Sequence, residues 1–166
     1  LHYPLRRQRQ MCIRDRVEDD AYSGSHNPDI GIADIPTASA LSYLGSVTST
    51  VSHIANGNYR QSDSNNAYGA SYTTGDIISV ALDLDNNRIY FAKNGVWQNS
   101  SDPTDGTNAI SITDPASTRD GVYFPAVGDT AASHTSTLLC NFGGCSAFTV
   151  SSANADDNGY GAFEYD

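Results

Sequence analysis

The stretch from Gly75 to Gln98 constrains this chain more than any other. Ile78, Val80, Leu82 and Leu84 alternate with Ser79, Ala81 and Asp83. That is the period of two of a half-buried β-strand, whose successive side chains point to opposite faces. Asn86-Asn87 follows, a pair that tolerates the positive φ angles of a tight hairpin turn. Taking those two residues as the loop sets Asp85 opposite Arg88, Leu84 opposite Ile89 and Leu82 opposite Phe91. Both apolar pairs then share a face, and the charged pair has opposite signs. Asn94-Gly95 supplies a second turn, placing Val96 across from Lys93 and Trp97 across from Ala92. Trp97 then shares the face of Tyr90 and Ala92, away from Leu82 and Phe91, on the outer face or under a neighbouring loop. The expectation is a three-stranded antiparallel meander.

The rest of the chain repeats the theme with shorter signals. Asp29–Ala33, Val51–Ala55, Asn58–Gln61 and Gly69–Tyr72 read as strands, as do Gly121–Val127 and Ser136–Phe142, and Ile110 and Ile112 mark a short one. Ala38–Leu44 fits one helical turn. Ser, Thr, Asn, Asp and Gly are abundant and scattered, and Lys93 is the only lysine. Such a mix favours short strands joined by turns over helices. No long internal repeat is visible, which argues against a propeller or solenoid. At 166 residues the chain suits a single two-sheet antiparallel sandwich with its own core.

Charge divides the chain and excludes partners. The net charge is -10, so phosphate backbones and anionic lipid surfaces repel it, and nucleic acid is not an expected partner. No apolar run is long enough to span a bilayer. Arg6, Arg7, Arg9, Arg14 and Arg16 crowd the start of the chain, leaving Arg60, Arg88, Lys93 and Arg119 as the basic side chains of the remainder. A basic arm or targeting segment is one reading of residues 1–16, although a signal-peptide pattern is missing. The reading adopted is that the segment is non-native. Met11-Cys12-Ile13-Arg14-Asp15-Arg16 resembles a string that recurs when sequencing-adaptor DNA is translated at the end of an assembled fragment. The division expected is residues 1–16 as this basic segment, 17–150 as the sandwich and 151–166 as a C-terminal loop and partial strand.

Five motifs in order resemble the SPRY family. Tyr68–Asp85 is similar to its central signature, in which a Gly-Asp turn (Gly75-Asp76) leads into an apolar strand ending Leu-Asp-x-Asp. Ile89–Val96, closing on Lys93-Asn94-Gly95-Val96, resembles the hairpin that follows. Tyr123-Phe124-Pro125-Ala126-Val127 matches a later strand, Asn141-Phe142-Gly143-Gly144 with Phe148 a closing element, and Ile30-Gly31-Ile32-Ala33 an early one. The likeness runs from about Val17 to Val150. It implies a concanavalin-like jelly-roll sandwich that binds protein or peptide through loops and is not an enzyme. The Ser/Asn/Thr-rich style and the insertion after Trp97 look like SPRY copies in bacteriophage and other environmental viral structural proteins, which points to a virion-associated module. The family's aromatic-rich first strand is absent, so the N-terminal strand is expected to be missing or replaced.

The residues offer little for catalysis. Sandwiches of this architecture also host glycosidases, which need paired carboxyl groups, but Glu18 and Glu164 stand at opposite ends of the chain. The aspartates sit at turns, where they hydrogen-bond the backbone. His26, His53 and His134 have no patterned acid or nucleophile beside them. Asp83–Asn87 and Asn154–Gly159 suggest calcium loops only superficially, because the closing acidic ligand is absent from both. Cys140 and Cys145 are read as buried or idle thiols, a local disulfide being the alternative, and four intervening residues without a nearby His make a poor zinc signature. Neither metal nor cofactor is expected.

Carried over from the resemblance, the candidate binding loops are Pro36–Gly45, Asn56–Tyr68 and the turn after Trp97. Tyr43, Tyr59, Arg60, Tyr68 and Trp97 are residue types that give large contact area at low entropic cost. Three functions stay open: a protein-interaction module, a glycan-binding adhesin and an architectural spacer.

Overall fold

The computed structural model describes residues 9–15 (as backbone), 28–35, 43–129 and 138–142, together with 150 and 162. The strands are β1 (Arg9–Asp15), β2 (Pro28–Ala33), β3 (Val51–Ile54), β4 (Asn58–Gln61), β5 (Ser64–Ala67), β6 (Ile77–Asp83), β7 (Arg88–Lys93), β8 (Val96–Trp97), β9 (Ile110–Ser111), β10 (Phe124–Asp129) and β11 (Leu138–Asn141). They form two antiparallel sheets. The first runs β11-β1-β6-β7-β8, with β9 also on β7, and the second runs β10-β2-β3-β4-β5. The β-sandwich expected from the sequence is the observed fold.

The core lies between the sheets. Ile30, Ile32 and Val51 meet Ile78, Val80, Ile89 and Phe91, with Tyr68, Tyr72, Ile110 and Ile112 closing the cluster. The fully buried His53 of β3 stacks on Phe91 of β7, ring centroids 5.3 Å apart, so these two strands face each other across the sandwich.

The β6–β7 hairpin keeps the expected faces and changes the register. Leu82 stands opposite Ile89, Val80 opposite Phe91 and Asp83 opposite Arg88, two residues from the pairing inferred above. The loop is therefore Leu84–Asn87 and not Asn86-Asn87 alone. The Asp83 carboxylate holds it, accepting the Asn86 backbone N–H at 3.1 Å and its side-chain amide at 2.6 Å, while Asn87 takes the left-handed conformation at φ 56°. Leu84 is lifted out of the core and is 40% exposed. A slip of two preserves every facing, whereas a slip of one would reverse it.

β6 is also not half-buried. Ser79 and Ala81, expected on a solvated face, are 1% and 5% exposed. Tyr90 and Ala92 on the same outer face are buried too. Trp97 lies edge-on to Tyr90 at 6.5 Å, and beyond it the chain folds back until Gly106 abuts the Arg88 guanidinium, where a Cβ would collide. Small side chains at 79, 81 and 92 suit this second covered face. The β7–β8 turn follows expectation, with Ala92 opposite Trp97 and Lys93 opposite Val96.

Two further strand expectations move. Gly69–Tyr72 is irregular, and the strand before it is β5, whose polar Ser-Asn-Asn-Ala sequence carries no alternation to betray it. The strand expected at Gly121–Val127 runs Phe124–Asp129. The helical turn proposed for Ala38–Leu44 lies mostly outside the described residues. The first-strand position is filled by β1, drawn from the basic segment set apart from the sandwich. It pairs with β6 on one side and β11 on the other. The backbone groups of β6 are thereby satisfied on both edges.

Candidate functional site

Three loops meet at the end of the sandwich beyond β3, β5 and β7. The β7–β8 turn is the most tightly specified. Asn94 and Gly95 have φ of 49° and 78°, the pair of left-handed residues that a two-residue hairpin requires. Val96 follows, the most exposed of the large apolar residues described, at 66%.

The Asn94 side chain ties this turn to the loop before β6. Its Oδ1 accepts the Ile77 N–H at 2.8 Å and its Nδ2 donates to Asp76 Oδ1 at 2.7 Å. Asp76 Oδ2 in turn accepts the Thr73 N–H at 2.9 Å and pairs with Lys93 Nζ at 3.0 Å. Lys93 Nζ also donates to the Ser71 carbonyl at 2.7 Å. Burial pushes the Asp76 carboxyl upward, but the bonds from Thr73, Asn94 and Lys93 outweigh it and hold the group below the usual carboxylate range. The Gly75-Asp76 and Lys93-Asn94-Gly95 motifs, separate in sequence, are two halves of one clasp.

The β3–β4 turn and the chain after β5 join the same assembly. The Gly69 N–H donates to the Gly57 carbonyl at 2.8 Å and the Tyr72 N–H to Ala55 at 2.9 Å. Gly57 has φ +92°, and any Cβ there would meet the Gly69 carbonyl, so the close approach requires glycine. Gln98 bridges to the hairpin: its Oε1 accepts the Ala70 N–H at 2.8 Å and its Nε2 donates to the Val96 carbonyl at 2.7 Å. The outcome is a rigid platform of Asn56-Gly57, Gly69–Asp76 and Lys93–Gln98 carrying an exposed valine.

The five residues singled out in the sequence fall in three places. Tyr68 is a core residue, 7% exposed, whose hydroxyl accepts the Phe91 N–H at 3.2 Å and lies 3.4 Å from Ser101 Oγ. Tyr59 packs edge-on against it at 5.8 Å. Tyr43 and Arg60 form a second group on the outer face of the β10–β5 sheet. The guanidinium lies 4.6 Å from the Tyr43 ring centre and donates to Asn65 Oδ1 at 3.0 Å and Asp29 Oδ2 at 3.3 Å. Trp97, half-buried on the other sheet, belongs to the platform itself. Val96 and Gln98 were not singled out: a lone valine in a turn carries no sequence signal, and the role of Gln98 depends on Ala70 being beside it.

Two buried titratable groups sit on adjacent strands. His53 is sealed among Phe91, Tyr68 and Tyr72, with neither ring nitrogen in a well-formed hydrogen bond. Burial lowers it to about 4, the Gly57 backbone opposing weakly and Lys93 adding to the depression. Asp29 is fully buried on the outer face of the β10–β5 sheet. Burial raises it to about 7 against the pull of Arg60, and Asp129 adds to the rise. Four other aspartates hold turns as expected. Asp83, Asp102, Asp105 and Asp114 each accept a nearby backbone N–H. Cys140 packs against the core, while Cys145 and Asn154–Gly159 lie outside the described residues. Among those described, no three His, Cys, Asp or Glu side chains gather as a metal site, and no helix is long and apolar enough to cross a membrane.

No family model and no curated protein matches the chain. Among solved structures it is similar to a human SPRY domain, at 16% sequence identity and a TM-score of 0.51, over 80% of this chain and 74% of that one. The shared property is the fold: two antiparallel sheets of the SPRY type.

Proposed function

We propose that this domain is a binding module without chemistry of its own, and that it receives a protein or peptide partner on the platform around Val96. The observation that carries the reading is a large apolar side chain, 66% exposed, held on loops cross-tied through Asn94, Asp76 and Gln98. A rigid exposed anchor lowers the entropic cost of association. Carboxylates engaged in holding turns and a histidine shut away from solvent are supporting signs that the module recognises and does not transform. Tyr43 with Arg60 forms a second, separate contact candidate. The Ser/Asn/Thr-rich style and the insertion after Trp97 support a place in a larger phage or viral structural or appendage protein.

Selection of a displayed random-peptide library on the intact domain tests this. Selected peptides are expected to lose roughly tenfold or more in affinity on Val96→Asp, as for a desolvated anchor. Val47→Asp, an exposed site elsewhere, should leave affinity unchanged. Equal binding by both variants overturns the platform assignment. Glycan-array binding without any peptide enrichment replaces a protein partner with a sugar. Glycosidase or esterase activity that disappears on replacing Asp83 or His53 defeats the reading altogether.

A further inference from the structure

Asparagine followed by glycine is especially open to attack on its own amide, because glycine lacks the Cβ that shields the following backbone nitrogen. The chain has this pair at Asn56-Gly57, Asn94-Gly95 and Asn158-Gly159, the last outside the described residues. The two described pairs are held very differently. Asn56 is exposed, and its Oδ1 accepts one short-range bond, from the Asn58 N–H at 3.0 Å. The Asn94 amide is gripped at both ends, Oδ1 by the Ile77 N–H and Nδ2 by Asp76, and its backbone N–H donates to the Ile77 carbonyl at 2.8 Å.

We propose that Asn94 is a site of spontaneous deamidation that the clasp holds in check, and that its conversion unties the loop before β6 from the hairpin. When the clasp opens, the Gly95 nitrogen, its proton taken by solvent base, attacks Asn94 Cγ. The new N–Cγ bond forms as the Cγ–Nδ2 bond breaks, and Nδ2 leaves as ammonia with a proton from water. Water then adds to either carbonyl of the five-membered imide, and ring opening gives aspartate or isoaspartate. Nothing is oxidised or reduced, and water is the only co-reactant. With the clasp closed, Cγ is fixed by two bonds that must break before it can swing toward Gly95.

The product cannot close the same clasp. A carboxylate at 94 faces Asp76 Oδ1, where an N–H donor stood 2.7 Å away. Two like charges then meet beside Lys93 Nζ, which already pairs with Asp76. Isoaspartate also lengthens a two-residue turn by one backbone carbon and removes the register that turn sets.

The test is peptide mass spectrometry of the intact chain aged at mildly alkaline pH, folded and in concentrated urea. Asn94 is expected to react at least roughly tenfold more slowly in the folded chain, the protection of a locally closed segment, with Asn56 protected less. Asp76→Ala should release most of the protection at Asn94 and leave the rate at Asn56 unchanged. Equal Asn94 rates in folded and denatured chain, or an Asn94 rate that Asp76→Ala does not move, overturn the proposal. If Asp76→Ala does not fold, both sites accelerate together, and Asn94→Asp decides instead. Hydrogen exchange at the Ile77 and Asp76 amides should be faster in that variant than in the native chain, and unchanged exchange there refutes the untying.

Discussion

The Tyr68 hydroxyl accepts the backbone N–H of Phe91 at 3.2 Å inside the core. A side chain that follows β5 of one sheet thus satisfies the main chain of β7 in the other, a strand paired with β6 along one edge and with only the short β8 and β9 along the other. Ser101 lies 3.4 Å from the same hydroxyl, so the segment after Trp97 is anchored there too.

Tyr68→Phe keeps the ring and strands the Phe91 N–H. The expected loss is about 1–3 kcal/mol, the cost of a buried donor left without a partner, read as a lower urea midpoint at unchanged slope. Affinity for any peptide selected on the domain should stay as it was, because the residue is buried.

His53 and Asp29 give opposite pH dependences that overlap. The folded state keeps His53 neutral down to about 4, against 6.5 when unfolded. Between those values the unfolded chain binds more protons, so this contribution grows as pH rises and is complete above 6.5, on the order of 3 kcal/mol. Asp29 holds its proton up to about 7, against 3.8 unfolded, so its contribution is full at low pH and lost as pH rises to 7.

Single replacements should separate the two. From pH 4 to pH 6.5, within the ranges set by these shifts, His53→Phe should lose ground against the native chain as pH rises. Asn at 29 (Asp29→Asn) should gain ground over the same interval. Urea midpoints measured across that range provide the check, and parallel curves for either variant contradict the assignment.

The hairpin register has its own test. Leu84→Asn, at a 40% exposed turn position, should change stability by less than about 0.5 kcal/mol. Ile89→Ala, at a fully buried site, should cost about 2–5 kcal/mol. Comparable losses at both positions in denaturant melts would restore the Leu84–Ile89 pairing.

Much of the fold was legible because it is local. Alternation fixed which side of β6 and β7 meets the core, and Asn94-Gly95 fixed the β7–β8 turn with its pairing. The two-residue error at Leu84 arose because Asn86-Asn87 can form a tight turn, while Asp83 offers a better one two residues earlier. β5 was invisible, since polar Ser64–Ala67 lies on an exposed edge where pairing with β4 alone decides. Of the candidate site, aromatic and Arg residues drew attention by type, yet type does not say that Tyr68 is buried or that Val96 is exposed.

By itself, then, the sequence determined an antiparallel sandwich, which faces of β6 and β7 meet the core, and the Asn94-Gly95 turn, because those follow from backbone sterics and a period of two. Tertiary structure decided the rest. It covered the outer face of β6, enclosed His53 and joined Asp76 to Asn94, because each depends on groups distant along the chain whose proximity exists only once both sheets have closed.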